Sequence, residues 1–339
     1  MNILIVGNLG YVGFVLSDFL KKNISKSKLF GYDNNYFNLK KDLNIDKQYY
    51  GDVRNFNDQI LDTIDIVIYL AAISNDPMGN AFEEATMNIN CYSAYNIARL
   101  SKQNKIKHFI FASSCSVYGL DDGNLKNEAS LVNPLTTYAK SKIEAENKLH
   151  EIQSEEFLIT NLRFATATGY SPNMRLDLVL NDFVASAISL NKIEIMSNGE
   201  PLRPLIHVKD MSRAIYWSIY RTINEGGSFL TMNVGSNEMN YKISELATNI
   251  KLKIKNLEIV INHNAPEDKR SYQVDFTKFK KLAGAYLPEY DLNKTLNDLI
   301  VNLSEIENLS EFRGSNFIRL NALNSLIKNK KLSPNLEWN

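Results

Sequence analysis

The stretch Ile3-Leu4-Ile5-Val6-Gly7-Asn8-Leu9-Gly10-Tyr11-Val12-Gly13 decides the fold. Its short apolar run has the pattern of a strand buried in a parallel sheet. The glycines that follow are spaced G-x-x-G-x-x-G. Beyond them Val12, Val15, Leu16, Phe19 and Leu20 share one face of a helix. Such glycines let the backbone turn tightly, admit a pyrophosphate close to the main chain, and seat the helix on the sheet. The phosphates then meet the free N–H groups at the helix start. A second strand is expected over residues 28–32 and ends at Asp33, twenty residues past Gly13. A carboxylate there binds the adenosine ribose hydroxyls of a dinucleotide and repels a 2′-phosphate, so NAD is favoured over NADP.

The alternation continues along the chain. Residues 48–50 predict a third strand, with Asp52 and Val53 after it flanking the adenine. Residues 65–69 predict a fourth, which runs into Leu70-Ala71-Ala72, where small side chains let the chain pass close to a cofactor. A long helix is expected over 81–104. A fifth strand over 107–111 ends in Ala112-Ser113-Ser114-Cys115-Ser116-Val117-Tyr118-Gly119. Strands alternating with helices mean an α/β protein with a doubly wound parallel sheet. Its ligands bind beyond the C-terminal strand ends, where Gly7, Asp33, Ala72 and Ser114 all fall.

Within Thr137-Tyr138-Ala139-Lys140-Ser141-Lys142, a helix would place Tyr138 and Lys142 on one face, about one turn apart. A phenol loses its proton near pH ~10, and a nearby ammonium favours the phenolate. The pair is therefore expected to move a proton on and off an alcohol, with the tyrosine pKa lowered by the lysine.

Composition narrows the partners. The 339 residues carry 38 Lys+Arg against 38 Asp+Glu, so nothing points to nucleic acid. Two cysteines and four histidines, without metal-ligand spacing, argue against a disulfide scaffold and against a metal site. The start reads as a strand rather than a signal peptide, and no run of 18 apolar residues exists. The expectation is a cytoplasmic protein with no membrane partner.

These features resemble the extended short-chain dehydrogenase/reductase family, in its nucleotide-sugar epimerase/dehydratase branch. The matching residues are Gly7/Gly10/Gly13, Asp33, Asp52-Val53, Ala71-Ala72, Asn90, Ser113-Ser114, Val117-Tyr118-Gly119 and Tyr138/Lys142. Leu162-Arg163 and Arg203-Pro204-Leu205-Ile206-His207-Val208 through Asp210 continue the match. The resemblance implies a Rossmann-type NAD domain over 1–163 and a smaller mixed α/β substrate lobe over 164–300, with some segments returning to the sheet. It adds Tyr11, Val12, Asn34, Leu70, Asn90 and Ser113 to the cofactor contacts. Tyr138 would be the acid/base at a sugar hydroxyl, Lys142 would hold the nicotinamide ribose, and Ser114 would share the sugar oxygen.

Departures from that family narrow the reaction. The 4,6-dehydratases carry an Asp-Glu pair where this chain has Cys115 and Ser116. Neither is a good acid or base at neutral pH in that role, which disfavours dehydration. Thr166 stands where 4-epimerases have an asparagine. The run from Ser171 to Phe183, with residues 266–270 and 332–338, marks a distinct branch resembling C4 oxidoreductases and epimerases of sugar-coat synthesis.

The nucleotide-sugar diphosphate calls for arginine forks. Arg203 matches the family's contact; Arg175 and Arg270 are further candidates, and Asn75 with Asp76 is expected to face the sugar. His207 reads as a core histidine. Residues 301–339, with Phe317, Leu320, Leu323 and Leu326, read as a docked C-terminal helix. The helices over 81–104 and 138–152 match those that pair into a four-helix bundle in family homodimers. The leading expectation is NAD-dependent chemistry at C4 of a nucleotide sugar: a 4-epimerase, a dehydrogenase or a 4-keto reductase. A hydroxysteroid-type reductase and a non-catalytic dinucleotide sensor are the rivals. A sensor would keep the glycines but lose Tyr138 or Lys142.

Overall fold

The computed structural model describes residues 1–37, 43–119, 123–262, 264 and 271–339. In chain order the first half contains β1 (Asn2–Val6), α1 (Tyr11–Asn23), β2 (Lys28–Asp33), β3 (Lys47–Tyr50), β4 (Ile66–Tyr69), α2 (Asp76–Ala81), α3 (Glu83–Met87), α4 (Ser93–Gln103), β5 (His108–Ser114), α5 (Thr137–Ile152) and β6 (Leu158–Phe164). The second half contains β7 (Thr166–Thr168), α6 (Val179–Leu190), β8 (Lys192–Ile195), β9 (Leu202–His207), α7 (Val208–Tyr220), β10 (Phe229–Val234), β11 (Asn240–Lys242), α8 (Ile243–Lys253), β12 (Glu258–Ile261), α9 (Thr277–Ala283), α10 (Leu292–Ser304) and α11 (Arg319–Lys328).

Seven strands form one parallel sheet in the order β10-β6-β5-β4-β1-β2-β3. The chain leaves β1 toward one edge and returns at β4 toward the other. That reversal opens the crevice in which doubly wound sheets bind ligands. The strands are apolar runs because both faces are covered. Ile3 and Ile5 pack with Leu16 and Leu20 of α1 and Met211 and Ile215 of α7. Leu4 and Val6 pack with Ala94 and Ile97 of α4, Leu149 of α5 and Leu323 of α11. The second half of the chain has its own core around Leu180, Val184, Leu246, Leu296 and Leu299, beside a three-stranded sheet (β11-β9-β7) and a two-stranded one (β12-β8).

The long helix expected over 81–104 is broken. After α3 a π-turn spans Asn88–Tyr92 before α4 begins. Buried Asn90 explains it. Its Oδ1 accepts from Ile73 N at 2.8 Å, and its Nδ2 donates to Ile73 O at 3.0 Å and Ser141 Oγ at 2.9 Å. The wide turn aims this amide at the loop after β4, a distortion of a kind found at functional sites. Among the described residues no helix is long and apolar enough to cross a membrane. No group of three or more His, Cys, Asp or Glu among them could hold a metal.

Candidate active site

A cleft of about 800 Å³ runs along the C-terminal strand ends, from the glycine turn to the smaller lobe. At its first end the backbone conformation demands glycine. Gly7 has φ +90°, and a Cβ there would lie 2.6 Å from Ala71 N. A Cβ on Gly13 would lie 2.4 Å from Gly7 O, so helix and turn are in backbone contact. Gly10 differs: a Cβ there meets only Gly7 O, at 3.3 Å, and otherwise enters the open cleft. The first N–H groups of α1, Tyr11 and Val12 among them, lack helical acceptors and present a positive end to that space. The Tyr11 phenol itself donates to Gly169 O at 2.5 Å, so only its backbone is available for a cofactor.

Asp33 closes β2. Its Oδ2 accepts from Leu9 N at 3.1 Å and its Oδ1 from Asn35 N at 2.7 Å, which leaves lone pairs on both oxygens for hydroxyl donors. Burial pushes its pKa up to about 6, against these hydrogen bonds and the charge of Arg319. Asn34 and Val53 line the same end, as do Leu70, Ala71 and Ala72. An open turn, a helix start and a free-edged carboxylate fit the pyrophosphate and ribose of a dinucleotide.

Two of the expected cofactor contacts stand elsewhere. The Asp52 carboxylate is turned to Arg54, which reaches both oxygens at 2.9 and 2.5 Å. Asn90 is fully buried and positions Ile73 rather than lining the cleft.

Midway along the cleft, β5 ends at Ser114 and α5 begins just before Tyr138. Thr136 caps α5 by accepting from Ala139 N at 3.2 Å, which fixes Tyr138 in the first turn. Ser113, Ser114, Tyr138 and Lys142 all line this part. Lys142 is buried and donates to Ala112 O at 2.7 Å, with its ammonium 4.6 Å from the Phe111 ring centre and 5.9 Å from that of Tyr138. Burial pulls the lysine down to about 7, opposed by Glu146 one turn on.

The expected lowering of the tyrosine pKa by the lysine is not what the structure gives. Burial raises the Tyr138 phenol, and the Ser114 side chain and the Arg175 charge draw it back. The physical reason is position: Lys142 Nζ points to a strand carbonyl, while desolvation acts on the whole phenol.

Asn75, Thr166, Arg175 and Arg203 also face the cleft, with the Arg175 charge felt at Tyr11, Tyr138 and Arg319. Asn75 caps α2 by accepting from Met78 N at 2.9 Å and donates to Asp177 Oδ2 at 2.7 Å. Arg175 does not present a free fork to a diphosphate. Its Nε and Nη2 hold Asp177 at 2.9 and 3.0 Å and its Nη1 holds Ser74 Oγ at 2.8 Å. Arg203 donates to Leu202 O at 2.9 Å and lies 5.9 Å from the Tyr272 ring centre. Asp76 accepts from Thr136 Oγ1 at 2.7 Å. Arg270 lies outside the described residues. His207 is wholly buried, bonded to Asp298 at 3.0 Å and stacked on Tyr290. Cys115 is buried with its thiol donating to Arg163 O, and burial raises its pKa. Ser116 lines the cleft.

Sequence reading missed Arg319, which lines the cleft from the start of α11. No local signal marks it, because Asn173 and Phe37, which place it, are more than a hundred residues away in sequence.

Sheet, crevice and glycine turn together define a dinucleotide-binding α/β fold. The sequence supplies the rest: a model of the NAD dependent epimerase/dehydratase family matches residues 3–235, and the chain belongs to that family. An uncharacterised UDP-glucose epimerase of Bacillus subtilis is 28% identical over 67% of this chain and 77% of its own length. A dTDP-D-glucose 4,6-dehydratase of Dictyostelium discoideum is 28% identical over 62% of this chain, which spans about half of that longer protein (54%). A crystal structure of UDP-glucose 4-epimerase superposes with a TM-score of 0.78 at 23% identity, covering 91% of this chain and 99% of that one.

Proposed function

We propose that the protein is an NAD-dependent enzyme acting at C4 of a nucleotide sugar, and that its net reaction is epimerisation or closely related C4 redox chemistry. The observation that carries this reading is the meeting of Ser114, Tyr138 and Lys142 at one point of the crevice that also holds the glycine turn and Asp33. NAD, when bound, supplies a hydride acceptor that can also return the hydride to either face of the sugar. The chain's own residues handle the proton. Tyr138 takes it from the C4 hydroxyl and gives it back, with Ser114 hydrogen-bonded to the same oxygen. Lys142 holds the nicotinamide ribose.

Elimination across C5–C6 needs a further acid and base beside C4. Cys115 is turned into the core with a raised pKa, and Ser116 offers only a hydroxyl. This supports C4 chemistry over dehydration. Arg203 is the proposed contact for the sugar diphosphate. The test is to identify the co-purified cofactor and follow UDP-, dTDP-, GDP- and CDP-hexoses by NMR in its presence. Inversion of the C4 proton couplings supports the reading. A 4-keto-6-deoxy product from any of them removes it.

We further propose a homodimer through α4 and α5. Half-exposed Tyr92, beside Lys148 of α5, lies on their outer face. A monomeric mass by light scattering at micromolar protein contradicts this.

A further inference from the structure

Arg319 opens α11 and is only 2% exposed. Arginine is rarely buried to that degree without a carboxylate partner. Here Nη2 donates to Asn173 O at 3.0 Å and Asn173 Oδ1 at 2.7 Å, and Nη1 makes only a long contact to Asn316 O at 3.5 Å. No carboxylate among the described residues forms an ion pair with it. The guanidinium lies over the Phe37 ring, 4.7 Å from its centre. Its hydrogen bonds go only to neutral acceptors, the Asp177 and Asp33 carboxylates act on it from beyond ion-pair distance, and the Arg175 cation opposes them. A desolvated cation so placed is stabilised further by an anion brought to it.

Its surroundings say where that anion lies. Asn173, which holds Arg319, also donates through Nδ2 to the carbonyl of Leu9 in the glycine turn. Leu9 N in turn donates to Asp33. Arg319 is therefore tied by one intermediate residue to the turn whose helix start favours phosphates. Phe37, on its other side, belongs to the loop after Asp33. Residues beyond α11 hold that loop in place: Trp338 Nε1 donates to Asn34 O at 2.8 Å, and the Tyr36 hydroxyl donates to Leu336 O.

We propose that Arg319 is a cationic ligand of the NAD diphosphate, brought to the glycine turn by the C-terminal segment. A diphosphate carries about two charges, and a guanidinium matches its oxygens with parallel N–H donors. The sugar diphosphate is the other source of the same chemistry. Leu9, Asp33 and Phe37 place Arg319 at the cofactor end, whereas Arg203 lies with Tyr272. The inference rests on NAD as the family's cofactor. NAD binding by the wild-type chain tests that premise separately.

The experiment is calorimetric titration of cofactor-stripped protein with NAD, ADP and adenosine, comparing wild type with R319M. The expected result is a 10- to 100-fold loss for NAD and ADP, with adenosine unchanged within two-fold. An equal loss for all three ligands makes Arg319 a structural prop and overturns the proposal. Unchanged NAD affinity, with or without weaker UDP binding to the NAD-saturated protein, overturns it as well. Should R319M fail to fold, Arg319→Gln keeps a donor to Asn173 but removes the charge, and the same contrast between ADP and adenosine decides.

Discussion

Glu146, one turn beyond Lys142 on α5, grips Arg163 of β6 with both carboxylate oxygens: Nε lies 3.0 Å from Oε1 and Nη2 lies 2.6 Å from Oε2. Both side chains are buried, and Ser113 Oγ donates to the same Oε1 at 2.5 Å. The pair thus anchors Ser113 one helical turn from Lys142. Removing one member of a buried ion pair strands the other charge, at a cost of about 3–5 kcal/mol. Arg163→Met is expected to lose stability of that order in urea denaturation. Arg163→Met with Glu146→Leu should lose less than the single change, because no charge is stranded. A double variant less stable than the single would show that the stranded charge is not the cause.

Asp33 gives cofactor binding a pH dependence of definite sign. Its folded pKa of about 6 lies above the ordinary 3.8. The folded chain therefore binds its proton more tightly than the unfolded chain. Stability from this group falls as pH rises through the window between those values. NAD binding runs the opposite way, since ribose hydroxyls donate to the ionised carboxylate. Affinity of the cofactor-stripped protein for NAD should rise between pH 5 and 7 and then level off, and Asp33→Asn should be weak and flat. The groups acting on Asp33 are the N–H donors of Leu9, Asn34 and Asn35 and the Arg319 charge, none of which titrates in that range. A wild-type NAD affinity constant across pH 5–7 would refute the assignment.

Much of this was legible in the sequence, for reasons of range. The strand, Gly7, Gly10, Gly13 and Asp33 are read within one βαβ unit, where spacing fixes geometry. Tyr138 and Lys142 are one turn apart on a single helix. Arg175 and Asp177 were visible two residues apart, but only the folded chain shows that they turn to each other. The π-turn at Asn90 accompanies side-chain hydrogen bonds to the backbone of Ile73, seventeen residues away, and helical propensity carries no trace of them. Arg319, and Trp338 on Asn34, are contacts across 146 and 304 residues. No local pattern encodes partners at that separation.

Tyr138 separates chemistry from binding. Its phenol lines the cleft beside Ser114 and is raised by burial. Tyr138→Phe keeps the ring and its packing but removes the proton carrier. NAD affinity should stay within about two-fold, while turnover on the substrate identified by NMR falls about 10²–10⁴-fold, the usual share of general acid–base catalysis. Lost NAD binding together with lost turnover would make the phenol a cofactor ligand instead. Near wild-type turnover would remove it from the reaction.

The glycines of the first turn should respond differently to the same methyl group. At Gly13 a Cβ falls 2.4 Å from Gly7 O and 2.5 Å from Asn8 Cα, both backbone atoms that cannot swing aside. Gly13→Ala must push α1 off the turn, and overpacking of this kind costs about 1–3 kcal/mol. At Gly10 the backbone is extended, φ −75° and ψ 178°, and the new methyl meets only Gly7 O at 3.3 Å. Gly10→Ala should cost far less stability than Gly13→Ala yet weaken NAD, because the methyl projects into the space a pyrophosphate needs. Melting curves and NAD titrations of the two variants separate the roles. A Gly10→Ala with full NAD affinity would show that this face of the turn does not hold the cofactor.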